Sequence, residues 1–419
     1  MRRSALDDYK AVEAALKVPY GEILNTMSVG ADTVGSETVR QIMPDDELQS
    51  KTISFLRFPL IVGVVFIHFN LVKIGLAAHG VNYCAGYPDW FYLLVRFFSE
   101  VLPSMAVPMF FLFSGYLFFY RTEFDGNVYR AKLRKRIKTL LIPFILWNVI
   151  GALMIAMYKI PFLQAVLPRA ANADIELSPM RILNIFYNKD NSILVQAAPP
   201  ARNTPYPIDA PLWFVREVMA VVILTPVIFL SIKKIGGWFV ILAGIVWAIV
   251  IPMVMPGGYF SLLSRALFFF SWGAYYSIGK LNFIGELRKL KFAPYAYLPF
   301  LIADTLTKGL TINIFLRDAV ILLGIITVVI IAASLLETGK ARVNPLFVKP
   351  VFFIFALHGL IMQNIGKMLV SILRLPDNAL VMTVFYFAIP IVTIAACMAV
   401  YMLINKYLPA ICRLLTGNR

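Results

Sequence analysis

Two side chains with chemical potential interrupt an otherwise apolar run early in the chain. In Phe55-Leu56-Arg57-Phe58-Pro59-Leu60-Ile61-Val62-Gly63-Val64-Val65-Phe66-Ile67-His68, Arg57 and His68 are the ionisable groups. On a helix their spacing leaves a residual rotation of about 20° and a rise of about 16 Å, so both project from one face at different depths. Arginine suits a phosphate, because its planar fork makes bidentate, charge-assisted bonds and stays protonated. Histidine suits removal of a hydroxyl proton, because its unperturbed pKa lies near neutrality, and the freed oxygen becomes a nucleophile. The plainer alternative makes Arg57 a snorkelling anchor and His68 a hydrogen-bond partner between helices.

Other ionisable residues lie within or beside apolar runs, where their cost in hydrocarbon marks them as candidates. They are Arg96, Glu100, Arg216, Glu217, Asp304, Arg317, Asp318, His358 and Lys367. Glu217 could orient His68, contact a sugar, or pair with Arg216. Arg96 and Glu100, four apart, are expected to form a local salt bridge. Arg317 and Asp318 are adjacent and diverge by about 100° on a helix, which argues against their pairing. Ser114 and Gly115 follow a Phe-rich run where small residues let a neighbouring helix or an acyl chain approach. No G-x-S-x-G turn surrounds Ser114, so a nucleophilic role for it is disfavoured.

These residues must be positioned by a bundle built in lipid. Of 419 residues 60% are hydrophobic and 15% charged, which makes hydrocarbon the main solvent. Helices satisfy their own backbone groups there, and the runs are continuously apolar rather than alternating, which excludes a barrel. Ten apolar runs are expected to span, near 53–73, 102–120, 139–158, 212–232, 237–255, 259–279, 293–310, 313–336, 348–372 and 379–405. With both termini in the cytoplasm, the inner connections carry nineteen Lys or Arg and the outer ones nine, as the positive-inside rule requires.

The net charge of +16 follows from that topology, and no nucleic-acid motif accompanies it. Three cysteines without ligand spacing indicate neither disulfides nor a metal site. Residues 1–50 are polar and lack the apolar core of a signal peptide; they read as a cytosolic extension or an overlong translated start. Residues 51–410 form the membrane domain, 411–419 a cytosolic tail, and 159–210, rich in proline and asparagine, a long outer loop.

Further motifs follow Arg-x10-His in order: Val107-Pro108-Met109-Phe110-Phe111-Leu112-Phe113-Ser114-Gly115-Tyr116; a basic run before Leu141-Ile142-Pro143-Phe144-Ile145-Leu146-Trp147; Pro211-Leu212-Trp213-Phe214-Val215-Arg216-Glu217; and Phe355-Ala356-Leu357-His358. Together they resemble the acyltransferase 3 family of bacterial integral-membrane acyltransferases, over about residues 50–405. The resemblance implies transfer of an acyl group, often acetyl from acetyl-CoA, to a hydroxyl of an envelope polysaccharide, lipopolysaccharide or glycolipid at the inner membrane. It implies that His68 and Arg57 are essential. The residue reading adds Glu217 as a third catalytic candidate, Arg57, Arg134, Arg136 and Ser114 as donor contacts, with the basic run otherwise a topology signal, and Trp213, Arg216 and His358 as acceptor contacts, with no metal. Two departures from the family pattern are the basic stretch Arg134-Lys135-Arg136-Ile137-Lys138 and Arg216-Glu217 in place of the commoner Trp-Ser-Leu-x-x-Glu form. A transporter or flippase of lipid-linked sugars is the competing reading, since buried charges also line transport pathways.

Overall fold

The computed structural model describes residues 45–71, 77–78, 81–82, 84–157, 185–186, 206–255 and 258–418. Residues 1–44 of the expected polar extension, and nearly all of the expected outer loop 159–210, lie outside the described residues.

Helices dominate, as the absence of hydrogen-bonding solvent in hydrocarbon demands. The first is α1 (Asp45–His68), followed by β1 (Ala77–Ala78) and β2 (Val81–Asn82), a minimal antiparallel pair. Next come α2 (Asp89–Phe119), α3 (Gly126–Met154), and the pair α4 (Ala210–Ile223) and α5 (Thr225–Ile235), bent by 60°. They are followed by α6 (Gly237–Val254), α7 (Gly258–Ile278), α8 (Phe283–Arg288) and α9 (Ala293–Leu306). The chain continues through α10 (Asn313–Glu337), α11 (Val351–Leu373), α12 (Ala379–Tyr407) and α13 (Pro409–Thr416). Seven described helices are long and apolar enough to cross a membrane, or eight if the bent pair is one span. The two remaining expected spans are also helical: α7 is diluted by Arg265, serines and tyrosines, and α9 has 14 residues.

Local sequence sets the breaks. Pro59 inside α1 cannot donate to the Phe55 carbonyl, two residues before Arg57. α2 changes pitch through a π-helical turn at Phe97–Val101 and a 3-10 turn at Leu102–Met105, the latter carrying Pro103. The N-cap carboxylate of Asp125 accepts from the Val128 amide at 2.7 Å to start α3, and Asn378 starts α12 in the same way at 2.8 Å.

α2 and α7 meet backbone to backbone. A Cβ built on Gly115 would lie 1.9 Å from the Phe270 carbonyl oxygen, and one on Gly273 would lie 1.9 Å from that of Leu112. Glycine is required at both positions because the obstacle is main chain, which cannot swing aside. Gly115 is therefore a packing residue, while Ser114 beside it is half-buried.

Polar ties close the bundle ends. Arg121 binds Asp46 at 2.7 Å, and Arg288 grips Glu337 with both terminal nitrogens at 2.9 and 2.5 Å. Tyr87 donates to Asp377; burial and that carboxylate hold the phenol above its usual pKa range. The free cysteines Cys84, Cys397 and Cys412 are all buried.

Candidate active site

α1 and α11 run side by side in the same direction. Phe58 stacks obliquely on Phe347, just ahead of α11, with centroids 4.7 Å apart, and His68 meets His358 at 5.0 Å, edge-on at 69°. The sequence offset is 290 at the histidines and almost the same at the phenylalanines, so α11 and the short helical turn Pro345–Val348 before it together follow α1 over about three turns.

Hydrogen bonds fix the histidine tautomers. His358 Nδ1 lies 2.9 Å from the Ile354 carbonyl, and His68 Nδ1 lies 2.9 Å from the Val64 carbonyl. A carbonyl only accepts, so each ring donates its Nδ1 proton and each Nε2 carries a lone pair. The Nε2 of His358 points at the Nδ1 of His68, 3.4 Å away, long for a hydrogen bond and suited to sharing that proton with Val64. His68 Nε2 is thereby left as an acceptor. His358 is fully buried while His68 is half-buried, so the open side of the pair belongs to His68.

A third element enters beside them. Asp209, just ahead of α4, is fully buried, and neither carboxylate oxygen has a hydrogen-bond partner among the described residues. Its amide donates to Asn148 Oδ1 at 3.2 Å, and Asn148 Nδ2 donates to the Phe144 carbonyl at 2.7 Å, tying this segment to α3. A Cβ on Gly359 would stand 2.7 Å from Pro211 and 3.1 Å from Asp209 Oδ1. The glycine following His358 thus lets the Asp209–Pro211 segment press against α11 one residue from the histidine. Phe214 extends the contact, 5.8 Å from Phe355 and 4.6 Å from Phe111, and Trp213 lies 6.2 Å from Phe111.

Arg57 lies about three turns before His68 on α1, half-buried, with no hydrogen bond or ion pair to any described residue. A guanidinium held in apolar surroundings without a partner is costly, and an arriving phosphate relieves that cost. The basic stretch at the start of α3 divides by helical face. Lys132 and Arg136 fold over the Phe118 ring at 4.8 and 5.8 Å, whereas Arg134 and Lys135 are exposed.

Several expectations are corrected. Of the alternatives open for Glu217, the pairing with Arg216 is the one formed: its Oε1 accepts from Arg216 Nε and Nη2 at 3.0 and 2.9 Å, while the partner of His68 is His358. Arg96 and Glu100 take separate partners: Arg96 donates to the Thr305 carbonyl at 3.2 Å and Glu100 accepts from Asn70 at 2.8 Å. Glu100 sits inside the π-helical turn that begins just after Arg96, which breaks the α-helical register on which the expected pair rested. Arg317 and Asp318 do form an ion pair at 3.5 Å, because the long arginine stem curls back across the helix surface. Asp304 is a structural acid, accepting from Lys308 at 2.7 Å and Asn313 at 2.6 Å where α9 turns into α10. Lys367 is half-buried on α11, beyond His358.

Comparison with known proteins resolves what kind of bundle this is. Residues 51–402 match the acyltransferase domain that defines one family of membrane proteins. The chain belongs to the acyltransferase 3 family. Arg57, His68, Arg216, Glu217 and His358 all lie inside the matched region. Over 236 residues it is 30% identical to the succinoglycan biosynthesis protein ExoH of Rhizobium meliloti (strain 1021), a match covering 56% of this chain and 55% of that protein. The chain thus spans about half the length of that curated relative. No solved structure gives a significant match.

Sequence reading missed Asp209 and Asn148, which lie beside the histidine pair, and Arg265 on α7. Arg265 was detectable, as an arginine inside the apolar run 259–279. Asp209 precedes the Pro211-Leu212-Trp213 motif in a polar segment, where an acidic residue carries no signal.

Proposed function

We propose that this enzyme transfers an acyl group, acetyl in the simplest case, from a cytoplasmic acyl-CoA to a hydroxyl of an envelope or exopolysaccharide sugar or its lipid-linked precursor. The observation that carries this reading is the histidine pair: His68 is half-buried, its Nδ1 is held by the Val64 carbonyl and His358, and its Nε2 keeps a lone pair. Family membership and the similarity to a succinoglycan biosynthesis protein support a glycan acceptor. The positive-inside charge pattern supports cytoplasmic ends for the described helices and a cytoplasmic origin for the donor.

In the proposed reaction, the CoA phosphates meet Arg57 and the thioester reaches toward His68. The sugar hydroxyl loses its proton to His68 Nε2 as its oxygen bonds to the thioester carbonyl carbon. The carbon–sulfur bond then breaks, and the departing thiolate takes the proton back from Nε2, so His68 ends neutral. While His68 is cationic, its Nδ1 proton is shared between the Val64 carbonyl and the His358 lone pair, which stabilises the charge. Direct transfer accounts for the geometry, and an acyl-histidine intermediate is the variant that rapid-quench labelling distinguishes.

Replacing Arg57 with Gln tests the donor site. Loss of one charged contact to phosphate is expected to raise KM for acyl-CoA about 10- to 100-fold, with a smaller change in KM for the glycan. Initial-rate measurements on membranes with matched protein levels decide it; an unchanged donor KM removes Arg57 from the donor site. Arg136, packed on Phe118, is expected to contribute less than Arg57.

A further inference from the structure

α1 stops at His68. The last turn of a helix leaves carbonyl groups without partners inside the helix, so its end frays unless other groups tie it down. Phe69 closes the turn through its amide, 3.1 Å from the Val65 carbonyl oxygen and 3.2 Å from that of Phe66. The next tie comes from α2. Its π-helical turn, Phe97–Val101, brings two consecutive side chains to the residues that follow the histidine. Ser99 Oγ lies 3.5 Å from the Phe69 carbonyl oxygen, and Glu100 Oε1 accepts from Asn70 Nδ2 at 2.8 Å. Turns of this kind are rare and concentrate at functional sites.

Tyr386 of α12 meets the same junction. Its hydroxyl is 2.6 Å from Ser99 Oγ, its ring stacks on Phe69 with centroids 6.3 Å apart, and it meets Phe66 edge-on at 5.7 Å. With Ser99 donating to the Phe69 carbonyl, Tyr386 donates to Ser99. Asn70, Ser99 and Tyr386 are all buried. From the other side, a Cβ on Gly366 would stand 3.3 Å from the Phe69 ring, so α11 also presses here. Three helices thus converge on the residues that flank His68, and buried polar groups joined in a network favour one arrangement over its alternatives.

We infer that Asn70 and Glu100 are positioning residues of the transferase: their hydrogen bond, beside the Ser99–Tyr386 pair, fixes the end of α1 and so aims His68 Nε2 at the acceptor hydroxyl. This rests on the reading of His68 as the base and adds the device that holds it. Neither residue touches the reacting atoms; Asn70 acts through the two peptide units that join it to His68. Misplacing a reacting group by about 1 Å costs on the order of 10²-fold in rate. The donor phosphates are assigned to Arg57, about three turns away, so loosening this junction should lower kcat and spare donor binding.

The test exchanges the two groups in the full-length protein in lipid nanodiscs. Asn70→Asp sets two carboxylates against each other and should lower kcat about 10- to 100-fold, with donor KM near that of the wild type. Adding Glu100→Gln restores the bond with donor and acceptor interchanged, and should recover most of the lost kcat. Full activity in Asn70→Asp, or a double variant no better than Asn70→Asp, overturns the inference. A second readout needs no turnover: the ¹⁵N spectrum of histidine-labelled protein, with the His68 signals assigned from His68→Ala. The wild type should show one Nδ1-protonated form of His68, and Asn70→Ala, which removes the bond without adding charge, a mixture of tautomers. A single form in both overturns the inference even if no transfer is found. Absence of transfer by the wild type, with the tautomer difference intact, would instead count against the transferase reading.

Discussion

His68→Ala lowers turnover by about 10²- to 10⁴-fold, the range a positioned general base supplies, with donor KM nearly unchanged. The expectation follows from the tautomers. His68 Nδ1 is committed to the Val64 carbonyl and His358, so Nε2 is the atom left to take a proton. Asparagine at 68 is a useful second variant, because its amide can bond Val64 but cannot act as a base. His358→Ala removes the acceptor for the shared proton while leaving the Val64 bond, so its loss should be smaller. Rates measured for all three variants at matched membrane levels check the ranking; a His358 variant worse than the His68 variants would make His358 the base.

The second large effect concerns stability. Gly273→Val is expected to prevent accumulation of folded protein, or to lower its unfolding temperature sharply. The added side chain would begin 1.9 Å from the Leu112 carbonyl and 2.8 Å from the Tyr116 amide nitrogen. Overpacking usually costs about 1–3 kcal/mol when side chains can shift; here main chain must move, so α2 and α7 would have to part. Gly115→Val should behave alike, since it meets Phe270 backbone at 1.9 Å. Gly126→Val is the control, because nothing lies within 4 Å of its added Cβ. Detergent-solubilised thermal unfolding separates them, and a Gly273 variant as stable as the Gly126 variant would refute the contact.

Much of this architecture was legible beforehand because membrane helices announce themselves in continuous apolar sequence. Each expected run contains a helix, seven or eight of them long and apolar enough to cross a membrane, and the placement of Arg57 with His68 on one helix followed from spacing alone. Resemblance supplied His358 as a candidate, but not its contact with His68, since that depends on α11 returning beside α1 across most of the chain. Side-chain partners were the least legible. Glu100 lay within a π-helical turn that no hydrophobic pattern reveals, and Arg317 reached Asp318 because a long flexible stem overrides the divergence of adjacent Cα–Cβ bonds. Glycine roles were partly visible. The small residues near Ser114 suggested close approach, yet only the folded chain shows that Gly115 carries it and that Gly273 answers from α7.

The central claim is covalent transfer from a cytoplasmic donor, and inverted membrane vesicles containing the protein test it most directly. Acyl-labelled acetyl-CoA is supplied to the exposed cytoplasmic face, and label in envelope glycan is counted for wild type and His68→Ala. The account predicts ester-linked label on glycan with the wild type and almost none with the variant. Glycan that crosses the vesicle membrane without gaining label, equally in both, would contradict it and make the protein a transporter.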